Sequence, residues 1–174
     1  SYKFTVTALY SKGNYRVQSS DSNTLVITTK SANTYETELS EVLNETASEA
    51  SKQLGLNKPF SSGRTVYYTK HGSTKDRTCF ITCSFDNLNQ KRKWSFYAFD
   101  DSISVYGAKI GMTENSAKQK LLKNKWKVFT RYYNKATDSG FIIYKRGTYS
   151  MHVSQKHNKL NQISFFNNEG LYYS

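Results

Sequence analysis

Histidine and cysteine are the residue types in this sequence that suit acid/base, nucleophilic or metal chemistry. The chain contains His71, His152, His157, Cys79 and Cys83. His152 falls on the polar side of an alternating segment, and a histidine beside lysine and tyrosine suits general acid/base attack on a phosphodiester. No second histidine stands at a fixed spacing from it, so an exposed polar residue is the favoured interpretation. A small hydrolase or nuclease that uses His152 stays an alternative.

The two cysteines lie four residues apart in the segment RTCFITCSF. On a strand this spacing separates their Cα atoms by about 13 Å, whereas a disulfide needs less than about 7 Å. We therefore predict that Cys79 and Cys83 are buried free thiols that act as small hydrophobic side chains. Zinc, calcium-loop, G-x-S-x-G and phosphate-loop motifs are absent from the sequence, so we predict no metal, no cofactor and no catalytic residues.

The net charge is +12, and it is unevenly distributed along the chain. Residues 109–159 are rich in lysine and arginine, with Glu114 and Asp138 as their acidic residues, whereas residues 34–54 are acidic. Such a charge attracts anionic partners over long distances, and nucleic acid, a teichoic-acid-like wall polymer, anionic lipid and an acidic protein all fit. Charge alone does not choose among them, and solvated lysines on a soluble protein are the plain alternative.

Lysines and aromatic residues are interleaved between residues 118 and 133, a pattern typical of grooves that bind single-stranded nucleic acid. About half of the strand aromatics must face the core, however, because successive side chains on a strand point to opposite faces. The predicted helix is also short for a major groove, and no signature of a nucleic-acid module is present. Nucleic-acid binding therefore stays an alternative. The residues concerned are Lys118, Lys120, Lys123, Lys125, Lys127, Trp126, Phe129, Tyr132 and Tyr133.

Alternating polar and apolar residues predict strands in the first half of the chain, over YKFTVTALY, NYRVQS and TLVITTK. Gly13-Asn14 supplies turn chemistry between the first two. Residues 34–54 then show helical spacing, with a capping box from Asn33 to Glu36 and a stop at Gly55. The segment LNKPFSSG is predicted to be a loop, and RTVYYTK, RTCFITCSFD and KWSFYAFD are predicted strands.

The second half begins with a short helix that Thr113 caps and that ends near Lys123. Four strands follow in WKVFTRYYN, SGFIIYK, TYSMHVS and NQISFFN. Antiparallel strands beside segregated helices predict an α+β fold, with antiparallel sheet and two helices packed on one face. A boundary near residue 100 divides the chain into modules 1–100 and 101–174, although one continuous sheet also fits.

Residues 107–168 combine a Gly-Met-Thr entry, a short amphipathic helix and meandering strands. The pattern consists of Ile110-Gly111-Met112-Thr113, Ala117, Leu121, Leu122, Gly147-Thr148-Tyr149, Val153, Asn158-Lys159, Ile163 and Phe165. It resembles the module of beta-lactamase-inhibitor-protein-like folds, whose architecture the small outer-membrane assembly lipoproteins share. The glycine-proline that often closes the helix is replaced here by Lys125-Trp126, and residues 1–100 lack a second Gly-Met-Thr. A further resemblance, to PASTA wall-binding modules, lacks that family's later signature.

Both resemblances imply proteins that bind rather than react and that act outside the cytoplasm. The inhibitor branch grips its partner with the open face of its sheet, so the resemblance implies the same use of the sheet here. No apolar run reaches the roughly 18 residues of a membrane span. The chain begins at Ser1 without Met, so a removed signal or anchor stays open.

We therefore expect a non-enzymatic, secreted or surface-attached protein of a Gram-positive bacterium. Its expected partner is an acidic protein or an anionic cell-wall polymer. The predicted site is a mixed aromatic and basic sheet face, steered toward its partner by lysines nearby. The face residues are Arg131, Tyr133, Tyr144 and His152, and the steering residues are Lys118, Lys120, Lys123 and Lys127.

Overall fold

The computed structural model describes residues 37–73, 75 and 78–167, together with the backbone of four short strands before them. These strands are β1 (Tyr2–Phe4), β2 (Leu9–Lys12), β3 (Tyr15–Gln18) and β4 (Leu25–Ile27). They belong to a compact unit of residues 1–35, and residues 36–174 form a second unit. Strand β1 pairs antiparallel with β4, and β2 pairs with β3. Lys12 pairs with Tyr15, and the turn predicted at Gly13-Asn14 lies outside the described residues.

The second unit is built on one antiparallel sheet of eight strands. Its described elements are β5 (Thr37–Glu38), a 3-10 helix (Leu39–Val42), α1 (Ala47–Gln53), β6 (Lys58–Ser62), β7 (Thr65–Thr69), β8 (Phe80–Ser84), a 3-10 helix (Phe85–Asn87), β9 (Ser95–Ala98), β10 (Ile103–Ser104), α2 (Glu114–Lys123), β11 (Lys127–Asn134), β12 (Ser139–Arg146), β13 (Tyr149–Lys156) and β14 (Lys159–Asn167). The predicted α+β fold is confirmed.

The sheet consists of two meanders of four strands that meet in its centre. Its order is β11-β12-β13-β14-β9-β8-β7-β6, and β14 pairs antiparallel with β9. Each meander follows a helix, α1 before β6 and α2 before β11. Buried residues of both helices, among them Ala50 and Leu121, belong to one core cluster with Ile81, Phe96 and Ile163 of the sheet. The face that α1 and α2 leave uncovered is termed the open face.

The predicted module boundary near residue 100 does not divide the sheet. Strand β9 ends before this point and β14 lies after it, yet Ala98 pairs with Ile163 in the same sheet. The division into compact units instead falls between residues 35 and 36. The sheet continues across residue 100 because β9 pairs with β14, and both meanders therefore pack on one core.

The helix predicted over residues 34–54 is shorter than expected. The predicted cap from Asn33 to Glu36 lies outside the described residues, and α1 begins only at Ala47. A capping box fixes this start, because the Thr46 hydroxyl accepts from the Glu49 amide while the Glu49 carboxylate accepts from the Thr46 amide. The predicted stop at Gly55 is confirmed by its positive φ of 72° directly after the helix.

The segment predicted as the loop LNKPFSSG contains strand β6 at one edge of the sheet. Its residues are mostly exposed and do not alternate clearly, and Pro59 lacks the amide that a central strand would need. An edge strand tolerates proline because one side of its backbone has no partner strand. Pattern reasoning therefore missed a strand whose pairing with β7 defines it.

Phe165 lies at the centre of the core on β14. Its ring centroid is 6.4 Å from that of Trp94, 6.1 Å from that of Trp126 and 5.3 Å from that of Tyr149. Phe165 also pairs across the strands with Phe96 of β9. These aromatic contacts thus join the two meanders.

Cys79 and Cys83 are free and buried, which confirms the sequence prediction. Burial raises the pKa of Cys79 to about 12 and the pKa of Cys83 to about 11. Alkylation requires the thiolate, so we expect iodoacetamide at about pH 8 to leave both thiols unlabelled in the folded protein and to label both in urea. Intact-mass spectrometry reads the adducts, and rapid labelling of the native protein at either residue would contradict their burial.

Candidate binding surface on the open sheet face

A row of aromatic rings crosses the open face of the sheet. The cross-strand register brings together Phe60 on β6, Tyr67 on β7, Phe80 on β8, Tyr97 on β9, Phe166 on β14 and His152 on β13. Successive ring centroids lie 4.9, 6.1, 4.9, 5.7 and 5.1 Å apart in that order. His152 is exposed and the other rings are half-buried. We term this set the aromatic row.

The surroundings of the aromatic row are hydroxylic and basic. Ser95, Thr82 and Ser154 lie on the same face, while Lys58 and Lys156 lie near the ends of their strands. Strands β6 to β9 and β11 to β14 contain neither aspartate nor glutamate. The sheet therefore offers apolar and hydrogen-bonding surface that carries no negative charge of its own.

Tyr144 does not lie on the open face, so its predicted placement there is wrong. It pairs with Met151 on the face that the helices cover, and only 1% of it is exposed. Burial raises the pKa of Tyr144 to about 12. The segment SGFIIYK has apolar residues on both faces, so alternation alone does not show which face is buried.

Arg131 and Tyr133 also point to the helix side, away from His152. Arg131 pairs with Ile142, and its guanidinium forms an ion pair of 2.8 Å with Glu114 at the start of α2. The Tyr133 hydroxyl donates to a carboxylate oxygen of Asp138 at 2.8 Å, and this hydrogen bond raises the pKa of Tyr133. The predicted grouping of these residues with His152 on one face is therefore wrong.

A β-bulge explains part of that error. The register between β11 and β12 shifts between Val128 and Thr130, so Phe129 is the extra residue. A bulge moves the following side chains to the other face of the strand. Arg131 thereby joins the helix side, whereas Thr130 and Tyr132 join the open face.

His152 has no acid/base partner within the part of the chain that the structure describes. Its ring packs edge-on against Phe166, and its cross-strand neighbours are Ile143 and Ser164. His152 is exposed, yet packing against Phe166 removes part of its ring from water, and this desolvation lowers the pKa of His152. His157, by contrast, lies in the β13–β14 turn, where its amide donates to the Asp138 carbonyl at 2.8 Å. The described residues also contain no cluster of histidine, cysteine and carboxylate side chains fit for a metal ion.

The predicted steering lysines lie on and beside α2. Lys118 is half-buried, whereas Lys120, Lys123 and Lys127 are exposed. Lys120 and Lys123 line a cavity of ≈ 490 Å³ on the helix side, together with Glu38 and Tyr106. Exposure is what a steering role requires, but it does not test that role. The steering role of these lysines therefore stays a prediction.

Glu38 lies within the segment predicted as a helix, but in the structure it belongs to β5 and has a structural role. One carboxylate oxygen accepts from the amides of Ser40 at 3.1 Å and Tyr106 at 2.6 Å. The other accepts from the Ser104 hydroxyl at 2.6 Å and the Gly107 amide at 2.9 Å. Tyr106 and Gly107 both have positive φ, 52° and 75°. Glu38 therefore stabilises a strained turn. Local sequence patterns do not predict this contact, because Glu38 and the turn lie far apart in the chain.

Comparison with family models, with curated proteins and with solved structures finds no match to this chain. In the described part, no helix has the length and apolarity that crossing a membrane requires. The function of this chain is therefore inferred from the open face and from the charges near it.

Proposed function

We propose that this chain is a non-enzymatic binding protein that holds an acidic protein against the open face of its sheet. The aromatic row is the observation that carries the proposal. Aromatic side chains dominate the energetics of protein interfaces, because each ring removes a large area from water when a partner covers it. Six adjacent rings on a sheet face thus supply the centre of an interface, with hydroxyl groups around it for hydrogen bonds.

The charge pattern favours an acidic partner. The net charge is +12, and the strands of the eight-stranded sheet carry no carboxylate side chain of their own. An acidic protein would meet complementary potential at the rim, which speeds association more than it strengthens the complex. The exposed Lys127 lies on the edge strand of the sheet and fits this role at the rim. Lys120 and Lys123 are exposed on the helix side, so they would steer a partner through the net charge of the protein.

The proposal also draws on the resemblance of residues 107–168 to beta-lactamase-inhibitor-protein-like folds. The second meander follows α2, as in the module that residues 107–168 resemble, and the first meander repeats the arrangement after α1. The inhibitor branch of that family grips its partner with the open face of the sheet. By this analogy we propose a protein that is secreted or attached to the surface of a Gram-positive bacterium.

An anionic cell-wall polymer is the second candidate partner. The observation that favours it is a cluster of cations around one cavity, where β11 begins and β12 ends. These cations are Lys125, Lys127, Lys145 and Arg146. A repeating polyanion would satisfy several cations at once. Nucleic acid would use the same charges, and its binding would fall steeply as salt rises.

Capture from a surface extract tests the proposed function. The immobilised wild-type protein is compared with Tyr97→Ser, which removes a ring from the middle of the aromatic row, and with Tyr133→Ser, a matched change on the helix side. We expect the wild type and Tyr133→Ser to retain the same acidic protein, and Tyr97→Ser to lose about 2 kcal/mol of binding free energy. Circular dichroism confirms that each variant is folded.

Two results of this capture would contradict the proposal. If Tyr97→Ser retains the acidic protein as well as the wild type does, the aromatic row is not the interface. If the immobilised protein captures no acidic protein but binds purified wall polymer or nucleic acid in a separate assay, that polymer replaces the acidic protein as the proposed partner.

A further inference from the structure

A cavity at one corner of the sheet combines positive charge with apolar surface. It lies where β11 begins and β12 ends, and its volume is ≈ 380 Å³. The described lining contains neither aspartate nor glutamate. We term this cavity the basic corner, and its lining consists of Lys125, Lys127, Val128, Phe129, Lys145, Arg146 and Gly147.

The charges of the basic corner repel one another. Lys127 and Lys145 stand directly opposite each other across β11 and β12, and like charges in this position destabilise a strand pair. Among the described residues, none of the corner's cations forms an ion pair. The described residues therefore supply no carboxylate that pairs with this local excess of positive charge.

Two of the cations lie over aromatic rings instead. The Lys145 ammonium nitrogen is 3.6 Å from the centroid of the Phe129 ring, and the Arg146 guanidinium carbon is 5.1 Å from that of Tyr106. These contacts orient the cations but do not cancel their charge. Phe129 is 63% exposed and Val128 is 42% exposed, so apolar surface stands beside the charges.

A phosphate group matches this arrangement better than a carboxylate does. Ammonium groups bind phosphate as point charges, and Lys125, Lys127 and Lys145 supply them in this cavity. A single carboxylate offsets one charge, whereas a phosphate monoester or a pyrophosphate offsets two or more. We propose that the basic corner binds a dianionic or polyanionic phosphate group attached to an apolar portion that lies on Phe129. This site uses no residue of the aromatic row and shares only Lys127 with the proposed steering lysines, so loss of phosphate binding and loss of the acidic protein are distinguishable.

Titration with inorganic pyrophosphate and with phenyl phosphate tests the site. We expect one saturable site in the wild type, with backbone amide shifts centred on Val128, Phe129 and Gly147. Lys145→Gln should raise the Kd by about tenfold or more, because it removes a charged hydrogen-bond donor. Lys156→Gln makes the same charge change on an exposed lysine of β13 outside the corner, and we expect it to change the Kd by less than about twofold.

The apolar part of the proposal has its own readout. Phenyl phosphate should bind more tightly than methyl phosphate to the wild type, and Phe129→Ala should remove this difference. Vesicles that contain phosphatidic acid distinguish the source of the phosphate. Retention of the wild type but not of Lys145→Gln on them would assign a lipid headgroup, whereas binding of the soluble phosphates alone would assign a small ligand.

Two outcomes would overturn the proposal. The first is equal affinity of the wild type, Lys145→Gln and Lys156→Gln for pyrophosphate, which would show attraction by net charge alone. The second is unsaturable binding with amide shifts spread over the whole surface. Relief of repulsion means that Lys145→Gln should not lower the melting temperature, and Lys127→Gln provides a second variant of the same corner if Lys145→Gln does not fold.

Discussion

Replacement of Phe165 by alanine should lower the free energy of unfolding by about 3–5 kcal/mol, the usual cost of removing a buried phenylalanine ring. Phe165 is 1% exposed and packs against Trp94, Trp126 and Tyr149. Its strand pairs with β9, so the cavity would open where the two meanders meet. Urea denaturation followed by tryptophan fluorescence measures the change.

Phe129→Ala is the matched control for this experiment. The Phe129 ring is 63% exposed on the edge strand β11, so its removal should change the free energy of unfolding by less than about 0.5 kcal/mol. A loss at Phe165 as small as the loss at Phe129 would contradict a core shared by both meanders.

Glu38→Ala should lower the free energy of unfolding by about 2–3 kcal/mol, since hydrogen bonds to a charged group are among the stronger ones. The change removes the acceptor for the amides of Ser40, Tyr106 and Gly107 and for the Ser104 hydroxyl. It also releases a turn in which Tyr106 has a positive φ of 52°. Glu38 is only partly buried, so water offsets some of the loss.

Glu41→Ala removes an exposed carboxylate three residues away and serves as the control. We expect its effect to stay within about 0.5 kcal/mol of zero. Hydrogen exchange at the Tyr106 and Gly107 amides provides a local readout, because both should exchange faster in Glu38→Ala. Unchanged exchange in that variant would refute the anchoring role of Glu38.

Elements with a strong local signal could be predicted from the sequence. Thr113 caps α2 as predicted, with its hydroxyl accepting from the Ser116 amide at 3.2 Å. Strands β7 to β9 and β12 to β14 also follow from their sequence patterns, because one of their faces is buried. Strand β11 forms as predicted, although nearly all of its residues are exposed. By contrast, β6 is defined by its pairing with β7, and α1 starts at the Thr46 cap instead of the predicted one. The periodicity of residues 34–62 reveals neither feature.

The candidate surface was less predictable than the fold. Tyr144 and Arg131 were placed on the wrong face, because SGFIIYK is apolar on both sides and the bulge at Phe129 reverses the alternation of β11. Tyr67, Phe80 and Tyr97 were visible as strand aromatics, but their alignment in one row depends on the register of separate strands. The charge of Lys127 and Lys145 was likewise visible, while their direct opposition was not.

Hydroxyl-radical footprinting tests the central claim, that the open face is the interface, most directly. The protein is oxidised alone and in the presence of the surface extract, and modification of each ring is read by mass spectrometry. The proposed function predicts that oxidation of Tyr67, Tyr97 and Phe166 falls on binding, while Tyr133 on the helix side keeps its rate. Protection of Tyr133 with unchanged oxidation of Tyr97 would contradict the proposed function.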